Sequence, residues 1–124
     1  MGSHKKILVV DDEADIVRCI QTVLEKAGYK VLTASDGAQA LDIIKINEPD
    51  LMIVDLTMPV MNGWCLCMKI REDERYKKTP VIVLSALIES EHSPEAFEPA
   101  SVYMVKPFDI FQLLAKVKEL LNES

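Results

Sequence analysis

The residues best placed to do chemistry are Asp11, Asp12, Asp55, Ser85 and Lys106. Each stands directly after, or one residue beyond, a short apolar run: residues 7–10, 51–54, 81–84 and 102–105. A continuous apolar run bounded by turn residues reads as a strand buried on both faces. A carboxylate at its end needs a paired charge or a metal ion. Three carboxylates brought together repel one another unless a cation intervenes, and an all-oxygen site with room for water suits Mg2+. A lysine ammonium and a serine hydroxyl can each hold an oxygen on phosphorus. An aspartate, already ionised at neutral pH, is a competent nucleophile towards phosphorus. Phosphoryl transfer asks mainly for in-line positioning and charge neutralisation, and this set supplies both.

Singly, each residue has an ordinary reading. Asp11 and Asp12 are suited to capping a helix, Asp55 to a solvated loop, and Lys106-Pro107 to a surface turn. The set gains meaning only if the fold gathers it. The apolar runs predict five strands: residues 7–10, 29–34, 51–54, 81–84 and 102–105. Lys30 and Thr33 interrupt the second, which places it near a sheet edge. Between the strands lie helical patterns. The first starts at about Glu13 with Asp12 as N-cap and runs to Ala27, with Gly28 as the left-handed terminator. The second opens at Ser35-Asp36-Gly37, and the third runs from Gly63 to about Glu74 with Leu66, Cys67 and Ile70 inward. The fourth is short or irregular, over about residues 90–98, within an acidic stretch that holds Pro94 and Pro99. The fifth ends near Asn122. Alternating strands and helices predict an α/β fold with a mostly parallel sheet and helices on both faces. Ligands of such sheets bind at the carboxyl ends of the strands, where all five candidate residues fall.

The chain has 124 residues, 49% hydrophobic and 27% charged, with a formal net charge of −6. That size allows one core, expected over residues 5–122, with residues 1–4 as a tag remnant or disordered terminus. The acidic balance argues against direct nucleic-acid binding, and no apolar run approaches the ~20 residues that span a bilayer. The expected location is cytoplasmic. Cys65 and Cys67 sit on opposite sides of a helix and cannot bridge; with Cys19 they read as reduced thiols.

Val9-Val10-Asp11-Asp12-Glu13, Val54-Asp55-Leu56-Thr57-Met58-Pro59 with Gly63, residues 80–86 ending in Ser85-Ala86, and Tyr103-Met104-Val105-Lys106-Pro107-Phe108 resemble the receiver domain of two-component response regulators, a family that includes chemotaxis regulators. The resemblance runs from Lys5 to Leu121. It implies a flavodoxin-like doubly wound sheet of five parallel strands in the order 2-1-3-4-5. It implies Asp55 as phosphoacceptor; Asp12, Asp55 and the Thr57 backbone carbonyl as Mg2+ ligands, with Asp11 assisting through water; and Lys106 against the phosphoryl group. Ser85 and Tyr103 are implied as the switch pair, and the Lys106-Pro107 peptide is expected to be cis. The family is a signalling phosphoacceptor that assists its own phosphotransfer and dephosphorylation rather than an enzyme. Its expected partners are a sensor histidine kinase or phosphotransfer protein, and an output protein met by the fourth helix, fifth strand and fifth helix. Alternatively, these residues belong to a longer regulator or hybrid kinase. Leu87, two residues past Ser85, is expected to keep water from the phosphoryl group. The acidic loop after the first strand disfavours a flavin carrier, and Thr57 in place of a second Asp disfavours a phosphatase of related fold. The full set of five residues disfavours a pseudo-receiver.

Overall fold

A computed structural model describes residues 5–55, 63–85 and 102–122. Within them run β1 (Lys6–Val10), α1 (Ala14–Lys26), β2 (Lys30–Ala34), α2 (Gly37–Ile46), β3 (Leu51–Asp55), α3 (Gly63–Glu72), a 3-10 turn (Glu74–Tyr76), β4 (Val81–Ser85), β5 (Val102–Val105) and α4 (Ile110–Leu120). The sheet is parallel throughout and ordered β2-β1-β3-β4-β5, the expected order. The expected helix over residues 90–98 falls outside the described residues, so the helix expected as fifth is α4 here.

The three apolar runs in the middle of the sheet are buried on both faces, as their lack of alternation predicts. Successive side chains still point to opposite sides. Leu8, Val10, Met52, Val54, Val81 and Val83 pack with Ala40, Ile44, Leu66, Cys67 and Ile70 of α2 and α3. Ile7, Val9, Leu51, Ile53, Ile82 and Leu84 pack with Ile20, Leu24, Leu113 and Val117 of α1 and α4. At about 25 cal/mol per Å2 of apolar surface, these two layers dominate the stability. β2 is an edge strand, with Lys30 and Thr33 exposed, and β5 forms the other edge.

Local signals set several helix ends. Gly28 takes φ +100°; its N–H donates to Glu25 O and that of Tyr29 to Leu24 O, the paired bonds of a Schellman terminus. Leu24 and Tyr29 belong to one buried cluster. The Asp36 carboxylate accepts from Gln39 N at 2.8 Å and caps α2, and the Asp109 carboxylate accepts from Phe111 N at 2.8 Å and caps α4.

Three expectations are corrected. The N-cap of α1 is Glu13 rather than Asp12, because the Asp11 carboxylate draws in the Glu13 N–H at 2.9 Å and delays the first turn. β2 begins at Lys30 rather than Tyr29, since Tyr29 completes the Schellman terminus. α3 ends at Glu72 rather than Glu74, because the Asp73 carboxylate accepts from Arg75 N at 2.9 Å and starts the 3-10 turn. The thiols of Cys19 and Cys65 are exposed, that of Cys67 is buried, and none is in a disulfide.

Candidate phosphoacceptor and metal site

Strand register assembles the site. Val10 lies opposite Val54 on β3, so Asp11 and Asp55 come level at one end of the sheet. Asp55 lies opposite Leu84, and Ser85 lies opposite Val105. The Asp11 N–H donates to Ala34 O at 3.1 Å and the Lys106 N–H to Ser85 O at 2.7 Å, so both flanking residues extend the sheet's bonding. Asp55 has the parity of Ile53 along its strand, Asp11 that of Val9, and Lys106 that of Met104. All three of those hydrophobes pack on the α1/α4 side. The two-residue repeat therefore sends Asp11, Asp55 and Lys106 towards a single point. Ser85 has the parity of Val83 and belongs to the other face.

The side chains meet as that parity requires. Lys106 Nζ donates to Asp55 Oδ2 at 3.2 Å, to Asp11 Oδ2 at 3.2 Å and to Glu13 Oε1 at 3.0 Å. Asp11, Asp55 and Ser85 are each about 1% exposed, whereas Asp12 and Glu13 face solvent. One carboxylate oxygen from each of Asp11, Asp12, Glu13 and Asp55 lies within 4.8 Å of the other three. Four acids against one lysine leave excess negative charge, and the donors are all hard oxygens, two of them solvent-facing. That donor set fits Mg2+, which binds one or two carboxylates and keeps several waters.

The electrostatics show the same imbalance. Burial pushes the Asp11 carboxyl up to about 6 from its ordinary 3.8; the Asp55 charge adds to this, while the Glu13 N–H and Lys106 oppose it. Burial on its own would lower Lys106, but its hydrogen bond to the Glu13 carboxylate and the charges of Asp55 and Asp11 outweigh it and hold its pKa above the ordinary lysine range. Lys106 is thus permanently cationic, and a second cation would relieve Asp11.

Of the residues singled out from the sequence, Asp11, Asp12, Asp55 and Lys106 are brought together. Ser85 lies at the end of β4 on the neighbouring face. Tyr103, opposite Val83, is half-buried and packs on the α2/α3 cluster. The Lys106-Pro107 peptide is cis, as expected. Thr57 and Leu87 lie outside the described residues. Sequence reasoning missed Glu13 as a member of the cluster and read it as an acid of the first helical turn. The available signal was its place in an uninterrupted triplet of acids at a strand end.

Beyond the acidic cluster, the α1 side carries a mainly apolar cavity of about 490 Å3 whose lining includes Ile16, Cys19, Ile20, Phe108 and Ile110 together with Glu13 and Lys106. Among the described residues, no helix is long and apolar enough to cross a membrane.

Comparison with known proteins points the same way. The chain is 36% identical to the DNA-binding dual master transcriptional regulator RpaA of Synechocystis, over 96% of this chain and 50% of that protein. It spans about half the length of the curated relatives it matches. The receiver domain of the Francisella response regulator 1452 superposes with a TM-score of 0.87 at 35% identity, covering 96% of this chain and 98% of that one. The Thermotoga maritima response regulator TrrA, solved in complex with Mg(2+)-BeF, gives 0.83 at 35% identity, over 94% of this chain and 98% of that one. The family model for the response regulator receiver domain matches residues 7–118. With an acidic cluster gathered at the ends of a 2-1-3-4-5 parallel sheet, this chain belongs to the response regulator receiver domains of two-component systems.

Proposed function

We propose that Asp55 is the phosphoacceptor of this receiver domain, taking a phosphoryl group from the phosphohistidine of a sensor histidine kinase or phosphotransfer protein. The observation that carries this reading is the ammonium of Lys106, 3.2 Å from Asp55 Oδ2: a fixed positive charge stands where charge on a modified Asp55 must be met. Asp55 needs no base, since a carboxylate is its own nucleophile. Its oxygen attacks phosphorus, the O–P bond forms as the N–P bond breaks, and the imidazole leaves with the bonding pair and gains one proton. Asp11, Asp12, Asp55 and the Thr57 carbonyl are the residues that would hold Mg2+, which supplies charge neutralisation for the oxygens on phosphorus. The TrrA relative was solved in complex with Mg(2+)-BeF, which supports a Mg2+-dependent phosphoryl site in this chain.

Ser85 donates its hydroxyl to a phosphoryl oxygen and moves towards it. Its strand parity matches that of Val83, whose register partner is Tyr103, so a shift of Ser85 bears on the packing beneath Tyr103. The switched surface is the β5/α4 edge together with the helix expected from residues 90–98, and its output partner is a protein or an attached effector domain. The domain runs over residues 5–122 and acts in the cytoplasm. RpaA is described as DNA-binding; for these 124 residues, with their net charge of −6, the proposal is that no nucleic acid is contacted directly. Phosphotransfer profiling against purified histidine kinases, with Asp55→Ala as control, tests the assignment. Label should reach the wild-type chain and not the variant. Equal labelling of both would place the acceptor elsewhere.

A further inference from the structure

We propose that Glu13 is a positioning residue that holds Lys106 in the unmodified protein and competes with the phosphoryl group for its ammonium. The inference rests on the phosphoacceptor reading of Asp55.

Glu13 stands at the N-cap of α1, with φ −92° and ψ 104°, yet its side chain makes no capping hydrogen bond. An N-cap side chain ordinarily accepts from the N–H two or three residues on, and Ser, Thr, Asp and Asn do this well. Glu13 forgoes that contact and reaches Lys106 Nζ at 3.0 Å, closer than either Asp11 or Asp55 at 3.2 Å. Its backbone is pinned independently, through the N–H bonded to Asp11 Oδ1 at 2.9 Å. The side chain can therefore change without loosening Asp11.

An ammonium has three hydrogens, and three carboxylate oxygens take them here. A phosphoryl oxygen must displace one. The Asp11 and Asp55 side chains are 0% and 2% exposed, that of Glu13 58%. Glu13 is the only one of the three that can swing into water without stranding a buried charge. It is the acceptor that yields.

The variants Glu13→Gln and Glu13→Asp test this, titrated with beryllofluoride at saturating Mg2+ and followed by the amide shifts of Ser85 and Val105. Glu13→Asp keeps the charge but is one methylene shorter and cannot reach Lys106, so it separates the specific bond from the general field. Both variants are expected to bind beryllofluoride about two- to fivefold more tightly than wild type, the range of a part-exposed ion pair. Asp15→Asn, which alters an exposed acid 3.7 Å from Arg18, should match wild type. A responsive wild type with Glu13→Asp indistinguishable from it overturns this inference alone. Weaker Mg2+ binding by Glu13→Asp, measured without beryllofluoride, overturns it in favour of a metal-ligand role. A wild-type chain that does not respond overturns the phosphoacceptor reading, and this inference falls with it.

Discussion

The Tyr76 hydroxyl donates to the Ile44 carbonyl across 2.6 Å, joining the 3-10 turn before β4 to the last turn of α2. Ile44 is among the final four residues of its helix, whose carbonyls lack partners within it. Both residues are buried, and burial raises the Tyr76 pKa. Tyr76→Phe leaves the carbonyl unsatisfied away from water. The expected cost is about 1–2 kcal/mol in urea or thermal unfolding, with beryllofluoride binding unchanged.

Arg71 acts on the same junction. Its Nη1 donates to the carbonyls of Tyr76, Lys77 and Thr79 at 2.8, 3.2 and 2.7 Å. The end of α3 is thereby tied to the segment entering β4, the strand that delivers Ser85. Lysine offers a point charge on a flexible stem in place of a planar fork. Arg71→Lys should cost about 1–3 kcal/mol and raise amide exchange first along the 3-10 turn. Exchange rising equally across the whole sheet would contradict that local role.

Asp11 makes stability depend on pH in the opposite sense from most carboxylates. Its pKa rises on folding, from 3.8 to about 6, so the folded chain binds this proton more tightly than the unfolded one. The linked stabilisation is complete below 3.8 and lost as pH rises through about 6. In divalent-free buffer, Asp11→Asn should therefore be more stable than wild type at pH 7 by about 1–3 kcal/mol. The gap should close as pH falls towards 4. Adding Mg2+ should stabilise wild type more than the variant. Unfolding curves between pH 4 and 8 with and without chelator check all three, and a variant less stable at every pH would contradict the electrostatic account.

Much of this was legible in the sequence. The runs at residues 51–54 and 81–84 lack polar interruptions, so they read as strands, the first buried on both faces; Lys30 and Thr33 marked β2 as near an edge. Asp55 at the end of a buried run announced itself by the cost of burying a charge. The position of the α1 cap was not legible, because Asp11, Asp12 and Glu13 are three consecutive acids able to cap. The choice falls to Asp11 taking the Glu13 N–H and Lys106 taking its carboxylate, and Lys106 is 93 residues away. The early end of α3 was hidden for a related reason: the Arg71 and Asp73 side chains settle it through backbone groups that sequence periodicity does not register.

Asp55, backed by Lys106 and the neighbouring acids, is proposed to accept the phosphoryl group, with Ser85 and Tyr103 responding. Amide chemical shifts recorded during titration with beryllofluoride and Mg2+ test it most directly, on wild type and on Asp55→Asn. With Mg2+ saturating, beryllofluoride is expected to shift Ser85, Tyr103 and Lys106 in wild type, and none of them in Asp55→Asn. Shifts that persist in Asp55→Asn, or a wild type that stays unchanged with both ions present, would contradict it.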